Sequence, residues 1–337
     1  MRTAAFTDLI GPDGVSIVER PTPDPGPGEA VVDVEACSIN RHDLWILEGD
    51  SAMVDAADLP FVSGLDVAGT VQRVGADVTA VDPGDRVLLC PNQTCGTCRF
   101  CREGPENRCE QFSLYHGGLA EAALVAADRL VALPDSVGTV EAAALPTAYL
   151  TAHHMLRRGH VEPGDLVFVP GATGGVGVAG VQLASVFGAR SVGTSSSGAK
   201  LDRLTDLGLD HAVEGTDPDD LRAAVRDVGT PDAVLNHLGG PYTQLGLDVV
   251  RRGGRVVVCG RTAGRRSEVD VADLFLEHKH LVGSTMGTQP DLETLVDLVA
   301  AGRLTPEVDA TYALAETGDA FGAMQNRDSV GKLVVTP

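Results

Sequence analysis

From Met1 to about Ile39 short apolar runs alternate with turns, and Pro21, Pro23, Pro25 and Pro27 mark a loop. Ala30–Ile39, Val67–Val74 and Val87–Cys90 read as strands, with Pro83, Gly84 and Asp85 as a turn before the last of them. This pattern predicts a small, turn-rich β domain. From Glu141 to about Arg158 the chain mixes Ala, Leu and Met with polar residues, which predicts a helix broken or kinked at Pro146. The period then changes again. Apolar runs recur at Leu166–Val169, Ser191–Thr194, Ala212–Val213, Val234–Asn236, Val256–Cys259 and Leu281–Gly283, with helical stretches such as Asp219–Val228 and Tyr242–Arg251 between them. That alternation predicts an α/β unit with a doubly wound parallel sheet covered on both faces. After Gly287 come one more helix, Leu292–Ala301, and β-like runs ending at Val334 and Val335. The expected division is 1–146, with 287–337 returning to it, and 147–286.

The run Leu166–Val169 ends at once in a loop carrying Gly171, Thr173, Gly174, Gly175, Val176 and Gly177, and a helix from about Val176 to Phe187 follows. A glycine loop by itself can be a plain tight turn. With a strand before it and a helix after it, the pattern predicts a dinucleotide cradle. Gly171 and Gly174 allow the turn, Gly175 lets backbone approach a pyrophosphate, and Gly177 lets the helix lie close on the sheet. The helix start offers unpaired N–H groups to the phosphates.

The cofactor preference follows from the next strand. An NAD site wants an acid about twenty residues past the loop to hold the ribose hydroxyls. Here the strand runs into Ser195, Ser196, Ser197 and Lys200, with no acid at its tip and Arg203 close by. Hydroxyls and a lysine suit a 2′-phosphate, so the expectation is NADP(H). The same serines would also serve as an ordinary polar loop.

Cys95, Cys98, Cys101 and Cys109 have spacings that can close on one tetrahedral zinc. Four thiolates leave no open coordination position, so the expected ion is structural. Cys37 and Cys259 lie in apolar strands and read as buried thiols, and Cys90 reads as core with a place near the zinc lobe as the alternative.

Composition narrows the class. The chain has 337 residues, 43% of them hydrophobic, enough for real cores. Its formal net charge is −21, and lysine occurs only at Lys200, Lys279 and Lys332. A scattered acidic surface of this kind resembles that of a halophilic protein, which salt would screen, and it disfavours nucleic acid and anionic membranes. No apolar run is long enough to span a bilayer and no signal pattern opens the chain, so the expected location is the cytoplasm.

With these features assembled, the chain resembles the medium-chain dehydrogenase/reductase superfamily over essentially its whole length. Further markers are the run Asn40, Arg41, His42, Asp43, Leu44 and Trp45, the run Gly118–Glu121, Tyr149–Ala152, Gly283–Thr288, and the pair Gly331 and Lys332. They look most like the zinc-binding dehydrogenase subgroup that borders the quinone and enoyl reductases. The resemblance implies a GroES-like N-terminal β domain with a structural-zinc lobe, a Rossmann NADP(H)-binding domain, a homodimer and hydride transfer. Zinc alcohol dehydrogenases carry Cys-His where this chain has Asn40 and Arg41, and Gly-His-Glu where it has Gly64, Leu65 and Asp66. Their third ligand falls near Pro146–Tyr149, which offers neither Cys nor acid. The expectation is therefore a structural zinc without a catalytic one, unless His42 and Asp66, with Asp43, rebuild a site.

Without that Lewis acid, reduction of an activated C=C bond or a quinone remains within reach, because hydrogen-bond donors suffice to hold the oxygen that gains charge. Asn40 is the expected amide at the substrate carbonyl, or else a structural strand-end amide. His42 is the first candidate proton donor and Tyr149 the second, with packing as the alternative for each; Asp66 orients a neighbour or caps a turn. The family pattern puts Asn236, Cys259 and Gly260 at the cofactor edge, with Thr288 and Lys332 as further candidates. Arg261, Arg265 and Arg266 form a basic cluster that would suit acyl-CoA phosphates or be a solvated loop. An alcohol dehydrogenase with an atypical metal site and a non-catalytic NADPH-binding sensor stand as the other readings.

Overall fold

The computed structural model describes residues 1–337. The chain divides into two compact units, Met1–Ala148 with Thr288–Pro337, and Tyr149–Gly287.

The first unit opens with an antiparallel hairpin of β1 (Arg2–Phe6) and β2 (Val15–Glu19). It continues through β3 (Glu29–Ser38), helix α1 (Arg41–Leu47), β4 (Asp66–Val74) and β5 (Arg86–Leu89). A small lobe follows, with β6 (Asn92–Gln93), α2 (Arg99–Glu103) and β7 (Ser113–Leu114). Then come β8 (Ala122–Ala126), β9 (Leu130–Ala132) and α3 (Thr139–Ala143). In β3 the apolar Val32, Val34 and Ala36 are buried while Asp33 and Glu35 face out, the period of two that a half-buried strand requires. Two register shifts against β4, between Val31 and Val32 and between Val34 and Ala36, let this long strand bend. Its end matters most for function. Ser38 pairs with Asp66, the first residue of β4, so the strand's last residues and the start of α1 lie beside the segment that opens β4.

The chain then passes α3, a wide turn at Leu145–Tyr149 and α4 (Leu150–Arg158). Pro146 lies in that turn, where a missing N–H breaks the helical ladder as its chemistry demands. The second unit is a six-stranded sheet of β10 (Leu166–Val169), β11 (Arg190–Ser195), β12 (His211–Glu214), β13 (Ala233–Asn236), β14 (Arg255–Val258) and β15 (His280–Gly283). All neighbours are parallel and the order is β12-β11-β10-β13-β14-β15. This is the doubly wound α/β arrangement, whose order reverses between β10 and β13 and opens a crevice at their carboxyl ends. β10 and β13 are buried throughout, whereas β15, at the edge, is largely exposed.

Between the strands run α5 (Gly175–Val186), α6 (Gly198–Asp206), α7 (Pro218–Val228), α8 (Tyr242–Val249) and α9 (Val271–Leu276). α7 starts at Pro218 because Asp217 caps it, accepting from the N–H groups of Asp219 and Asp220. α8 stops at Val249, two residues before the sequence-based expectation, where Val250 turns to an extended conformation. After Gly287 the chain forms α10 (Gln289–Ala300), β16 (Val308–Ala313), α11 (Thr317–Gln325) and β17 (Lys332–Thr336) in the first unit. Thr288 caps α10 in a capping box with Asp291, which accounts for a start three residues earlier than Leu292. β17 adds to the edge of β3, through the pairs Val334 with Ser38 and Val335 with Cys37. That pairing brings Lys332 beside Asn40. No helix is long and apolar enough to cross a membrane.

Candidate active site

Asn40 ends the β3 connection and caps α1, its N–H bonded to the Asp43 carboxylate at 2.8 Å. Its side chain lies in a largely buried cluster. The amide Nδ2 donates to Asp66 Oδ2 at 2.8 Å, and Oδ1 accepts from Lys332 Nζ at 2.5 Å. The ammonium also donates to the Ile39 carbonyl at 2.9 Å and to Asp66 Oδ2 at 3.3 Å. Ser38 Oγ gives Asp66 Oδ2 another bond at 2.6 Å, and Thr147 Oγ1 bonds Oδ1 at 2.5 Å. The Asp66 and Lys332 side chains are 0% and 4% exposed, so this charge pair is out of water. Burial pushes the Asp66 carboxyl up, while the Lys332 ammonium and the hydroxyl and amide donors pull it back toward ionisation.

Lysine has three N–H bonds, and Ile39, Asn40 and Asp66 take all three. Lys332 was expected on the cofactor; it is instead the internal counter-ion of Asp66. Asp66 accepts four bonds and orients the groups around it. Asn40 Oδ1 accepts from the Lys332 ammonium and Asp66 accepts four bonds, while Leu65 between Gly64 and Asp66 is buried and has no donor atom. Asp43 is equally committed, to Asn40 N, Ser63 Oγ at 2.5 Å and Gly64 N at 3.2 Å. Asp43 and Asp66 are thus both held as hydrogen-bond acceptors.

His42, on the first turn of α1, stacks on His116 with ring centroids 5.6 Å apart and planes at 25°. Phe61 meets His116 edge-on at 5.0 Å. His116 Nδ1 is 3.3 Å from Ser63 Oγ. The loop bearing it is stitched to the Ser63–Gly64 backbone, with Gly117 N and Leu119 N on Ser63 O and Gly118 N on Gly64 O. Gly64 has φ +97°, and a Cβ there would stand 2.6 Å from Leu119 N, so the approach of the two loops requires glycine. Ser63 and His116 carry no local sequence signal; they are 53 positions apart and only the loop pairing joins them.

In the lobe between β6 and β7 the ligand atoms of Cys95, Cys98, Cys101 and Cys109 lie within 4.8 Å of one another. The Cys98–Cys101 and Cys95–Cys101 sulfurs are 3.5 and 3.9 Å apart, near the ~3.8 Å edge of a tetrahedron with Zn–S of about 2.3 Å. Backbone N–H groups point at the sulfurs, from Cys98 to Cys95 and from Cys95 and Gln111 to Cys109, each at 3.3 Å. Such bonds from Thr97 and Cys98 hold the Cys95 thiol down at about 6, while burial and its thiol neighbours push Cys101 up to about 12. The four thiols would share one divalent cation, and zinc fits the donor set. Cys90 stands outside this set: it is buried and takes a 3.1 Å bond from Arg129 Nη2.

In the second unit the glycine loop joins β10 to α5. Gly171 has φ +65°, and a Cβ on Gly177 would stand 2.6 Å from Gly171 O, so the first turn of α5 lies against the loop only because both lack side chains. Gly174 caps α5 without a side-chain hydrogen bond, and Gly175 and Val176 open it, leaving the first N–H groups for a ligand, with Thr173 next to them. This cradle fits a dinucleotide pyrophosphate. On β11 Ser195 is buried and accepts from Ser197 N; Ser196 is exposed, Ser197 caps α6, and Lys200 lies on α6. The acid missing from this strand has a neighbour on the next one: a Cβ at Gly198 would lie 2.9 Å from Glu214 Oε2.

Asn236, Cys259, Gly260 and Tyr149 all lie in the second unit. Asn236 spends its side chain on the turn after β13, accepting from Leu238 N and Gly239 N and donating to Thr243 Oγ1. Cys259 is a neutral thiol pushed up to about 12 by burial. A Cβ on Gly260 would fall 1.9 Å from the His237 carbonyl, so glycine is obligatory there. Tyr149 is fully buried and its hydroxyl donates to Gln182 Oε1 at 2.5 Å, which removes it from proton delivery in this arrangement. His237, which the sequence reading passed over, donates from Nε2 to Pro170 O at 2.8 Å beside the glycine loop, and burial lowers it to about 4.

These features have counterparts in known proteins. The Alcohol dehydrogenase GroES-like domain matches residues 26–135 and the Zinc-binding dehydrogenase domain residues 175–301. An alcohol dehydrogenase of Geobacillus stearothermophilus is 30% identical over 342 residues, covering 99% of this chain and 98% of that protein. The chain is a zinc-binding dehydrogenase of the medium-chain dehydrogenase/reductase superfamily. Such a family member is also similar to the acryloyl-coenzyme A reductase of Metallosphaera sedula, 29% identical over 328 residues and covering 96% of each. Among solved structures, a 2-octenoyl-CoA carboxylase reductase in complex with NADP and 2-octenoyl-CoA superposes with a TM-score of 0.90 at 28% identity, covering 99% of this chain and 87% of that one. As a medium-chain dehydrogenase/reductase the protein is an oxidoreductase.

Proposed function

We propose that the protein reduces an activated C=C bond, of an enone or enoyl thioester, or a quinone, with NADPH and without a catalytic zinc. The observation that carries this reading is the Asn40–Asp66–Lys332 cluster: a buried ammonium holds the two side chains that border the family's metal position. A second cation there would face the ammonium at close range in a water-poor site. The acryloyl-coenzyme A reductase relatives support the thioester class. The hydroxyl-rich tip of β11 supports NADP(H), as does the NADP in the octenoyl-CoA relative.

When bound, NADPH would supply the hydride that adds to the carbon β to the carbonyl. Asn40 is held by its N-cap position, by Asp66 and by Lys332, and its amide has a second N–H to offer the carbonyl oxygen as that oxygen gains charge. Asp66 and Lys332 act as positioning residues for Asn40. His42, on the first turn of α1, is the proton donor of this reading. Arg265 and Arg266, exposed on the loop after β14, are the residues for the phosphates of a coenzyme A thioester. Cys95, Cys98, Cys101 and Cys109 would hold the structural zinc. The exposed edge strand β15, with Leu281 43% exposed and Phe275 and Leu276 of α9 at 62% and 58%, is the surface for a homodimer.

The alcohol dehydrogenase relative, at 30% identity, favours a second reading in which the protein oxidises alcohols with an atypical metal site. Metal counting with a substrate panel separates the two. One zinc per chain, with NADPH-dependent turnover of crotonyl thioesters, enones or quinones, is expected. Two zincs with robust alcohol oxidation and no such turnover would overturn the proposal; tight NADPH binding without turnover of any substrate would make the protein a cofactor-binding sensor instead.

A further inference from the structure

Two imidazole nitrogens in the first unit, His42 Nε2 and His116 Nε2, are buried without a hydrogen-bond partner, on rings that stack on each other. The chain of bonds behind His116 fixes what its nitrogen can do. Ser63 has one hydroxyl hydrogen, and it goes to Asp43 Oδ1 at 2.5 Å, because a carboxylate can only accept. The Ser63 oxygen therefore accepts from His116, so the ring carries its proton on Nδ1. Burial, aided by His42 and opposed by Asp43, lowers His116 to about 4. At neutral pH the ring is uncharged and Nε2 is a bare lone pair. The relay ends at a carboxylate that is 0% exposed and already bonded to Asn40 N and Gly64 N. Its bonds fix the Ser63 hydroxyl and through it orient the ring.

An acceptor locked in one tautomer and held out of water is costly unless something donates to it. We propose that His116 Nε2, walled by His42 and Phe61, is a subsite that accepts a hydrogen bond from a donor group of the substrate. Under the thioester reading, on which this identification of the donor rests, the group is the secondary amide N–H of the pantetheine arm. His116 is then a specificity-determining residue that favours amide-bearing thioesters over plain enones.

The test compares two substrates that differ in one atom group. Crotonyl-N-acetylcysteamine thioester carries the amide N–H, and its ester analogue replaces N–H by oxygen. The wild type should prefer the amide by about tenfold in kcat/KM, mostly through KM, as one neutral hydrogen bond to a buried acceptor implies. His116→Phe should bring that ratio close to one, and His116→Gln, which keeps an acceptor oxygen, should restore part of it. A wild-type ratio of one, as when only a water fills the subsite, or an equal loss on both substrates in His116→Phe, would overturn the proposal.

A second measurement does not depend on turnover. In nitrogen-15 NMR of labelled histidine, His116 should show the Nδ1–H tautomer, and its Nε2 resonance should move when the saturated butyryl amide thioester binds but not when the ester analogue binds. If no enoyl thioester is reduced, the reductase reading fails, and this shift still decides the subsite. If both thioesters are reduced equally and Nε2 does not move, the subsite fails and the reductase reading stands.

Discussion

Replacing Lys332 by Met tests the buried cluster directly. Lys332 donates to Ile39 O, Asn40 Oδ1 and Asp66 Oδ2, and the substitution keeps an unbranched side chain one atom shorter while removing all three bonds. Asp66 would remain with Ser38, Asn40 and Thr147 as donors but no counter-ion, at a site where its side chain is 0% exposed. Leaving one partner of a buried pair unpaired costs about 3–5 kcal/mol. The three remaining donors place the expected loss near the lower end, about 3 kcal/mol. The only tryptophan, Trp45, lies on α1 in the same unit, so its fluorescence during urea unfolding reports the relevant transition. The pH dependence has a definite sign. Without the ammonium the folded-state Asp66 carboxyl rises further, protonation of the folded state relieves the stranded charge, and the penalty shrinks as pH falls through that raised value. Adding Asp66→Asn removes the charge altogether, so the double variant should lose less than the sum of the single ones by roughly 2 kcal/mol. A cost for Lys332→Met below about 1 kcal/mol, with wild-type pH dependence and additive double-variant energies, would refute the reasoning.

Removing zinc with a chelator should release one ion per chain and free four thiols, with loss of the lobe's structure, since structural sites of this kind bind with apparent free energies on the order of 10 kcal/mol; unchanged circular dichroism and no released metal would count against the site. His116 and His237, both lowered to about 4 by burial, bind protons more readily unfolded than folded. Stability should therefore be fully present above about pH 6.5 and fall as pH drops from there toward 4, by on the order of 3 kcal/mol per histidine at most. Urea midpoints that stay flat over that range, or a slope unaffected by His116→Phe, would contradict the assignment.

The sequence by itself determined what depends on short-range pattern. A period of two, then alternating strands and helices, fixed the two kinds of architecture, because burial on one face or on both leaves its mark within a few residues. Gly171 and Gly177 were readable because a loop pressed against a helix start tolerates no Cβ, and four cysteines within fifteen positions announce a tetrahedral donor set. The loss of a metal ligand at Leu65 was legible as chemistry, since no fold can make an isobutyl group donate.

Only the tertiary structure decided which polar atoms meet. Lys332 reaches Asp66 across 266 positions, through the pairing of β17 with β3, and so serves the cluster and not the cofactor. Ser63 joins Asp43 and His116 by the stitching of two loops, and Tyr149 and Asn236 turn out to spend their polar groups internally. The physical reason is common to all of them. Secondary structure follows from interactions a few residues apart, whereas a buried polar group must find its partner wherever the packed chain brings one, and that is a property of the whole fold.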